Sequence, residues 1–141
     1  FKEHLYPGVP KISLHTIHPH EELQINELKI VPLRIMHDKL PILGFKIGKL
    51  AYITDMKTIP EEELDFLQDI DCLVVNALRF TNAHHSHMLI DEALAFARRT
   101  SAKRVFFTHM CHDIGLHEEV NKILPAGTQL AFDGLTVEVD V

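Results

Sequence analysis

Histidine and aspartate side chains stand directly after short apolar runs of this sequence, and these residue types bind divalent metals. His37 follows the run LKIVPLRIM, Asp55 follows LAYIT, and His109 follows RVFFT. Asn76 and Arg79 come after the run CLVV in the same way. Zinc and related ions take imidazole nitrogen and carboxylate oxygen, and ligands on rigid strand ends need little reorganisation. The pattern therefore predicts a metal site built from strand ends.

Each of these residues also has a structural interpretation. His37 could be a turn histidine that bonds to the backbone, and Asp55 could cap the segment that follows it. His109 could be a core histidine whose polar atoms are satisfied. The repetition of the pattern at three strand ends favours the metal site.

Composition narrows the class of protein. The chain has 141 residues, a net charge of -6, eleven histidines and two cysteines. This length suits a single domain or half-domain over residues 1–141, and the acidic balance disfavours a broad electrostatic grip on nucleic acid. Two cysteines form no dense disulfide framework, which favours a reducing cytoplasm. Because no apolar run approaches about 18 residues, we expect no membrane span.

The rhythm of apolar residues changes after Asp55. The first half alternates apolar and polar residues in runs typical of β-strands, and the second half alternates strands with helices. This order predicts an α/β (α+β layered) class, with a mixed sheet covered by helices and a site beyond the strand ends. The predicted strands are 11–17, 22–25, 28–36, 42–48, 50–55, 71–77 and 103–109, the predicted helices are 61–68, 86–100 and 116–124, and 128–141 is predicted as a closing hairpin.

Five segments in a fixed order resemble the metallo-β-lactamase-fold hydrolases. They are LRIMHDKLPILGFKIGKLAYITD, LVVNALRF, HHSHMLIDEALAFARR, VFFTHMCHDIGLHEEV and LAFDGLTVEV. The nearest branch is that of phosphodiesterases such as the carbon-phosphorus lyase accessory phosphodiesterase, with the tRNA 3′-processing endonucleases more distant. The resemblance implies the carboxyl-terminal half of an αββα sandwich.

The resemblance also implies roles for single residues. His37 is similar to a ligand of one metal, Asp55 to the aspartate that bridges two metals, and His109 to a ligand of the second metal. His87 resembles the histidine that acts as general acid or holds the substrate phosphate, and a histidine suits this role because its pKa lies near operating pH. His85 is the alternative, because the two histidines lie only two positions apart and the register is open.

Two further motifs depend on the resemblance. His112 resembles a ligand of an additional structural zinc, which the phosphodiesterase branch completes with cysteines near its amino terminus. The family's HxHxDH motif is absent, and the nearest text, residues 18–22 with the sequence HPHEE, is interpreted as a turn between strands. The chain is therefore expected to be an incomplete part of an enzyme and inactive alone.

The implied function is that of a dinuclear hydrolase with two divalent ions, zinc or manganese. The substrate would be a phosphorylated small molecule or nucleotide-like compound, cleaved by a metal-activated hydroxide. One alternative is a non-catalytic half-fold or degenerate relative that binds a partner or phosphorylated ligand, and another is an ester, thioester or lactam hydrolase. The sheet face left by the missing half would favour a homodimer or other association.

Overall fold

The computed structural model describes residues 12–140, which form one seven-stranded sheet whose strands lie side by side in chain order. The first four strands pair antiparallel, and the pairs from the fourth strand to the seventh are parallel. The predicted mixed sheet is confirmed. The strands are β1 Leu23–Ile25, β2 Leu28–His37, β3 Leu40–Ile47, β4 Leu50–Ile53, β5 Cys72–Asn76, β6 Arg104–Thr108 and β7 Thr128–Leu130.

Two-residue connections join the antiparallel strands. Asn26, Asp38 and Gly48 begin the three connections, and their φ angles are 53°, 54° and 54°. This left-handed backbone is natural for glycine and tolerated best by asparagine and aspartate among the other residues. The turn residues thus fix the register in which His37 pairs with Leu40 at the end of the β2–β3 hairpin.

Helical segments make the crossovers between the parallel strands, as parallel pairing requires. A 3₁₀ helix, Glu61–Leu67, lies between β4 and β5, and helix α1, Ile90–Ala97, lies between β5 and β6. A short 3₁₀ turn, His112–Ile114, and helix α2, His117–Ile123, precede β7. These segments pack on one face of the sheet, where the buried core comprises Leu33, Ile35, Ala51, Ile53, Leu73, Val75, Val105 and Phe107 from the strands with Leu67, Ile90, Ala93, Phe96 and Val120 from the helical segments.

Some predicted elements are shorter than expected. The predicted helix 86–100 begins only at Ile90, because the Glu92 carboxylate accepts a hydrogen bond from the Leu89 N–H at 2.7 Å and so caps the helix there. The predicted closing hairpin is wrong: Thr128–Leu130 is a strand, whereas 135–140 contains none. Residues 12–17 likewise form no strand, and the first predicted helix is the 3₁₀ helix.

The other face of the sheet carries a row of paired apolar side chains. Phe45 pairs with Tyr52 across β3 and β4, and Tyr52 pairs with Val74 across β4 and β5. Tyr52 keeps 47% of its surface exposed. The association predicted for this face stays a prediction. Within residues 12–140 no helix combines the length and apolar character that crossing a membrane requires.

Candidate metal centre

Four strands deliver polar residues to one edge of the sheet. Strand β2 runs parallel to β4, β5 and β6, because it is separated from β4 by two antiparallel pairings. His37 is the last residue of β2, Asp55 lies two residues beyond β4, Asn76 ends β5, and His109 directly follows β6. The carboxyl ends of these strands therefore meet, as the sequence predicts.

Both Asp55 and His109 turn the chain sharply at this edge. Their φ angles are 61° and 59°, in the left-handed region, where aspartate and histidine are tolerated better than most residues. Such backbone costs on the order of 1 to 3 kcal/mol and persists where surrounding contacts hold it. The strain at these two positions aims both side chains into the same space above the strand ends.

Asn76 supplies the contact that holds the turn at Asp55. Its side-chain Oδ1 accepts a hydrogen bond from the Met56 N–H at 2.8 Å, and its Nδ2 donates to the Met56 carbonyl at 2.9 Å. Asn76 is completely buried and Met56 is 1% exposed, so these bonds are shielded from water. Asn76 therefore fixes the backbone next to Asp55, a role that its place at a strand end did not reveal.

The side chains at this edge form a compact cluster of donors. His87 Nε2 and His109 Nε2 each lie 3.4 Å from the same oxygen, Asp55 Oδ1. The rings of His87 and His109 stack with centroids 4.6 Å apart, and His37 meets His87 edge-on at 4.8 Å. One donor atom from each of His37, Asp55 and His87 lies within 4.8 Å of the other two. We call His37, Asp55, His87 and His109 the donor cluster.

The spacing of the donor cluster fits a divalent ion. Two ligands that each lie about 2.1 Å from a tetrahedral zinc are about 3.4 Å apart. The two distances to Asp55 Oδ1 match that spacing, and imidazole with carboxylate is a donor set suited to zinc and related metals. His37, Asp55, His87 and His109 could therefore hold metal, and ligand atoms of His37, Asp55 and His87 already lie within 4.8 Å of one another.

Burial and neighbouring charges favour the protonation states that metal binding needs. Burial acts to raise the pKa of Asp55, but the charge of His109 and hydrogen bonds from His87 and Thr54 outweigh it, and the pKa is lowered. Burial lowers the pKa of His87, and the charges of His109, His37 and His84 act in the same direction against the hydrogen bond to Asp55. An ionised aspartate and a neutral imidazole are the forms that bind metal.

The structure distinguishes His87 from His85. His87 is partly buried and faces Asp55, whereas His85 is exposed and contacts the ring of His84 with centroids 4.6 Å apart. Of the two histidines considered for the catalytic role, His87 is thus the one brought to the strand ends. Its role as an acid remains a prediction.

Two cationic side chains hold the loop that carries His87. Arg79 donates from Nε to the Thr81 carbonyl at 3.0 Å and from Nη2 to the Asn82 carbonyl at 2.9 Å. Lys57 donates to the His87 carbonyl at 3.3 Å and to the Glu92 carboxylate at 2.7 Å. In the sequence, Arg79 stands out only as a residue near a strand end.

Other histidines lie outside the donor cluster. The side chain of His112 is 92% exposed, and its Nε2 lies 3.3 Å from Asp113 Oδ1. Its role in a structural zinc stays a prediction. Pro19 and His20 occupy a turn, as the HPHEE text predicts, and His20 Nε2 lies 2.9 Å from the buried Glu63 carboxylate. This pair fastens residues 18–22 to the first 3₁₀ helix.

Comparisons with known proteins agree with the fold. Residues 1–110 match the family model described as beta-lactamase superfamily domain. A diphosphatase of the PhnP family has a crystal structure that aligns with 92% of this chain at a TM-score of 0.86 and 37% identity. The metallo-β-lactamase fold protein YhfI of Bacillus subtilis aligns with 86% of the chain at a TM-score of 0.68 and 18% identity, which concerns the fold alone.

The relatives are longer than this chain. An octanoyltransferase of Porphyromonas gingivalis strain W83 is 38% identical over 140 residues, which is 99% of this chain and 28% of that protein. The chain likewise spans 50% of the diphosphatase and 54% of the Bacillus protein. The chain therefore spans about half or less of the length of these relatives.

Proposed function

Because the chain belongs to the beta-lactamase superfamily domain family, we propose that it forms part of a metal-dependent hydrolase that cleaves a phosphate ester or anhydride. The observation that carries this proposal is the pair of histidine nitrogens, from His87 and His109, at 3.4 Å from one oxygen of Asp55. The similarity to a diphosphatase at 37% identity supports a phosphorylated substrate. The proposed activity belongs to the whole protein in which this chain is found.

His37, Asp55 and His109 would hold the divalent ions. Zinc or manganese at this place supplies Lewis acidity and lowers the pKa of water, so that hydroxide is available near neutral pH. The backbone next to Asp55 is held by the hydrogen bonds between Asn76 and Met56. A catalytic zinc ordinarily has three protein ligands, so these three residues supply fewer ligands than two ions need, and further ligands would complete the site.

His87 would act on the substrate rather than only on the metal. Its Nε2 faces the space beside Asp55, from which a protonated imidazole could donate a hydrogen bond or a proton to a leaving oxygen. The Lys57 contact to the His87 carbonyl and the hydrogen bonds of Arg79 keep the ring at this place. The exposed His85 is the lesser candidate.

The full-length protein with Asp55→Asn tests the proposal, and Asp133→Asn serves as the control because Asp133 is exposed and outside the donor cluster. The measurements are bound zinc and manganese, and hydrolysis of bis(p-nitrophenyl) phosphate and of a nucleoside diphosphate ester. Removing a contact behind a ligand lowers metal affinity or activity by roughly 10–100-fold, and removing the ligand itself should lower them further. The control should match wild type in both measurements. Unchanged metal content and hydrolysis in Asp55→Asn would refute the proposal.

The octanoyltransferase relative favours one further candidate, an ester or thioester hydrolase on the same fold. Octanoyl thioesters and p-nitrophenyl octanoate belong in the same substrate panel for this reason. Faster turnover of these acyl compounds than of the phosphodiesters would select the second candidate. Both candidates are compatible with a reducing cytoplasm, since Cys72 and Cys111 are free.

A further inference from the structure

A groove lies between helix α1 and the connection that leads into β7, and it has a volume of about 230 Å³. Sites for drug-sized ligands measure roughly 300–1,000 Å³, so this groove suits a smaller molecule. Apolar residues form most of its lining, namely Leu94, Ala97, Ala102, Val105, Pro125 and Ala126. A ligand that covers this lining would therefore need an apolar part.

The groove lies at the opposite edge of the sheet from the donor cluster. Val105 and Thr128, near the beginnings of β6 and β7, line the groove and pair with each other. His109 directly follows the other end of β6. Because a strand rises about 3.3 Å per residue, about 13 Å separate Val105 from His109 along the chain. A ligand in the groove would thus bind apart from the proposed metal centre.

The charged residues that line the groove are cations. Arg98 and Lys103 are both exposed, and no aspartate or glutamate of residues 12–140 belongs to the lining. Lys103 Nζ lies 3.2 Å from Asp71 Oδ1, which offsets its charge, whereas the described part of the chain forms no ion pair with Arg98. The groove therefore has about one uncompensated positive charge, in a chain whose net charge is -6.

The end of helix α1 does not require the Arg98 guanidinium as a hydrogen-bond donor. The Leu94 carbonyl accepts a hydrogen bond from the Arg98 N–H at 3.1 Å, and the Ala97 carbonyl accepts one from the Thr100 N–H at 3.0 Å. The hydroxyl of Thr100 donates to the Ala97 carbonyl as well, at 2.9 Å. These carbonyls are satisfied without the guanidinium, so its donors are available to a ligand.

A second cavity, of about 340 Å³, differs from the groove in its charge balance. Three lysines line it together with Glu22, Asp69 and Asp140. Lys46 Nζ lies 2.7 Å from Asp69 Oδ1, and Lys29 Nζ lies 3.5 Å from Glu22 Oε1. Because these charges offset one another within the protein, the second cavity attracts an anion less than the groove does.

We propose that the groove binds a small aliphatic monocarboxylate. Its hydrocarbon part would lie on the apolar lining, and its carboxylate would pair with Arg98 beside Lys103. One negative charge matches the single uncompensated cation, and an inorganic anion would leave the apolar lining uncovered. The binding site does not depend on the hydrolase proposal, because the two lie at opposite edges of the sheet.

Titration of the full-length protein with hexanoate, followed in ¹H–¹⁵N amide spectra, tests the proposal. Hexanamide serves as the neutral compound of nearly the same shape. Hexanoate should shift the signals of residues 97–103 and 125–128. Hexanamide should bind more weakly by about two- to fivefold, since an exposed ion pair changes an affinity by up to about fivefold.

Variants separate the roles of charge and shape. Arg98→Gln should weaken hexanoate binding by about two- to fivefold and leave hexanamide binding unchanged. Arg99→Gln is the matched control, because Arg99 pairs with Glu61 and does not line the groove. Ala126 is exposed, so Ala126→Leu fills the groove without disturbing the core and should weaken both compounds. The amide spectra also show whether each variant is folded.

Equal affinity for hexanoate and hexanamide would overturn the proposal, as would unchanged hexanoate binding in folded Arg98→Gln. Shifts confined to the donor cluster would overturn it too. Nuclear Overhauser contacts from residues outside 12–140 to Leu94 and Ala126 in the free protein would show that the protein itself fills the groove, and the proposal would then be wrong. A failed hydrolysis assay would leave a positive titration intact.

Discussion

Replacing Asn76 by alanine should damage both stability and metal binding, because one buried side chain serves two backbone groups. The substitution removes the bond to the Met56 N–H at 2.8 Å and the bond to the Met56 carbonyl at 2.9 Å. Leaving a buried polar group unsatisfied costs about 1–3 kcal/mol, so two such groups predict a loss of about 2–6 kcal/mol. That is a large share of the roughly 5–15 kcal/mol that stabilises an ordinary domain.

The same substitution releases the turn that aims Asp55. Metal affinity should therefore fall by roughly 10–100-fold, the range seen when contacts behind a ligand are removed. Urea unfolding measures the stability of the full-length protein, and a competition titration with a chromophoric chelator measures its affinity for zinc. Asn76→Asp should keep the hydrogen bond from the Met56 N–H but place a carboxylate oxygen against the Met56 carbonyl. Its loss of stability should therefore come from repulsion between these two oxygens.

Val120→Ala provides a control of comparable instability. Val120 lies in α2 and is 4% exposed, and removing its two methyl groups should cost about 1–3 kcal/mol without touching the donor cluster. If Asn76→Ala and Val120→Ala weaken zinc binding equally, the loss is one of general stability and the reasoning about Asp55 is wrong. A change in unfolding free energy below about 0.5 kcal/mol for Asn76→Ala would refute it as well.

Three further predictions concern the supports of the site and the sheet. Arg79→Gln, checked by amide hydrogen exchange, should speed exchange in residues 80–88 through loss of the hydrogen bonds to the Thr81 and Asn82 carbonyls; unchanged protection would contradict this. The pKa of Glu92 is lowered, because the Lys57 and Leu89 hydrogen bonds outweigh burial. Glu92→Gln should thus cost about 0.5–1 kcal/mol at neutral pH in urea unfolding. This difference should shrink as the pH falls past the unfolded-state pKa, near 4.5, and vanish only below the lowered pKa of the folded state. Gly127 has a φ of 82°, and Gly127→Ala would place a Cβ 2.6 Å from the Lys103 carbonyl oxygen. Thermal unfolding should therefore show a loss of stability of at least about 1 kcal/mol, whereas Ala126→Gly should show no such loss.

The strand ends were predictable because sheet geometry connects sequence position with spatial position. Once apolar runs are assigned to strands of a mixed sheet, the residue that follows each parallel strand must lie at the carboxyl edge. The repeated strand-end pattern predicted that His37, Asp55 and His109 lie together, and the structure brings their side chains to that edge. Their roles as ligands remain predictions.

The supports of the site were less predictable, since they depend on contacts between distant positions. Asn76 meets the backbone 20 residues earlier, and Lys57 meets Glu92 across 35 residues of sequence. No local pattern pairs such positions. The predicted helix 86–100 was too long for a related reason. The side chains of Ser86 and His87 contact each other in the site, and the Glu92 cap makes the helix begin at Ile90.

The backbone at Asp55 separates what this residue does for the fold from what it does for the site. Its left-handed conformation, at φ 61°, costs a residue with a Cβ about 1–2 kcal/mol, whereas glycine adopts it freely at an entropic cost of about 0.5–1 kcal/mol. If Asp55 is present for metal binding, Asp55→Gly should leave the metal-free protein as stable as wild type or up to about 1 kcal/mol more stable, and should lose bound metal. Asn82→Gly, at the same φ of 61° in the loop before His87, should match the stability change without the loss of metal. If Asp55→Gly instead destabilises the metal-free protein by more than about 1 kcal/mol, the contacts of Asp55 to His87 and His109 stabilise the fold, and the strained turn needs no metal to account for it.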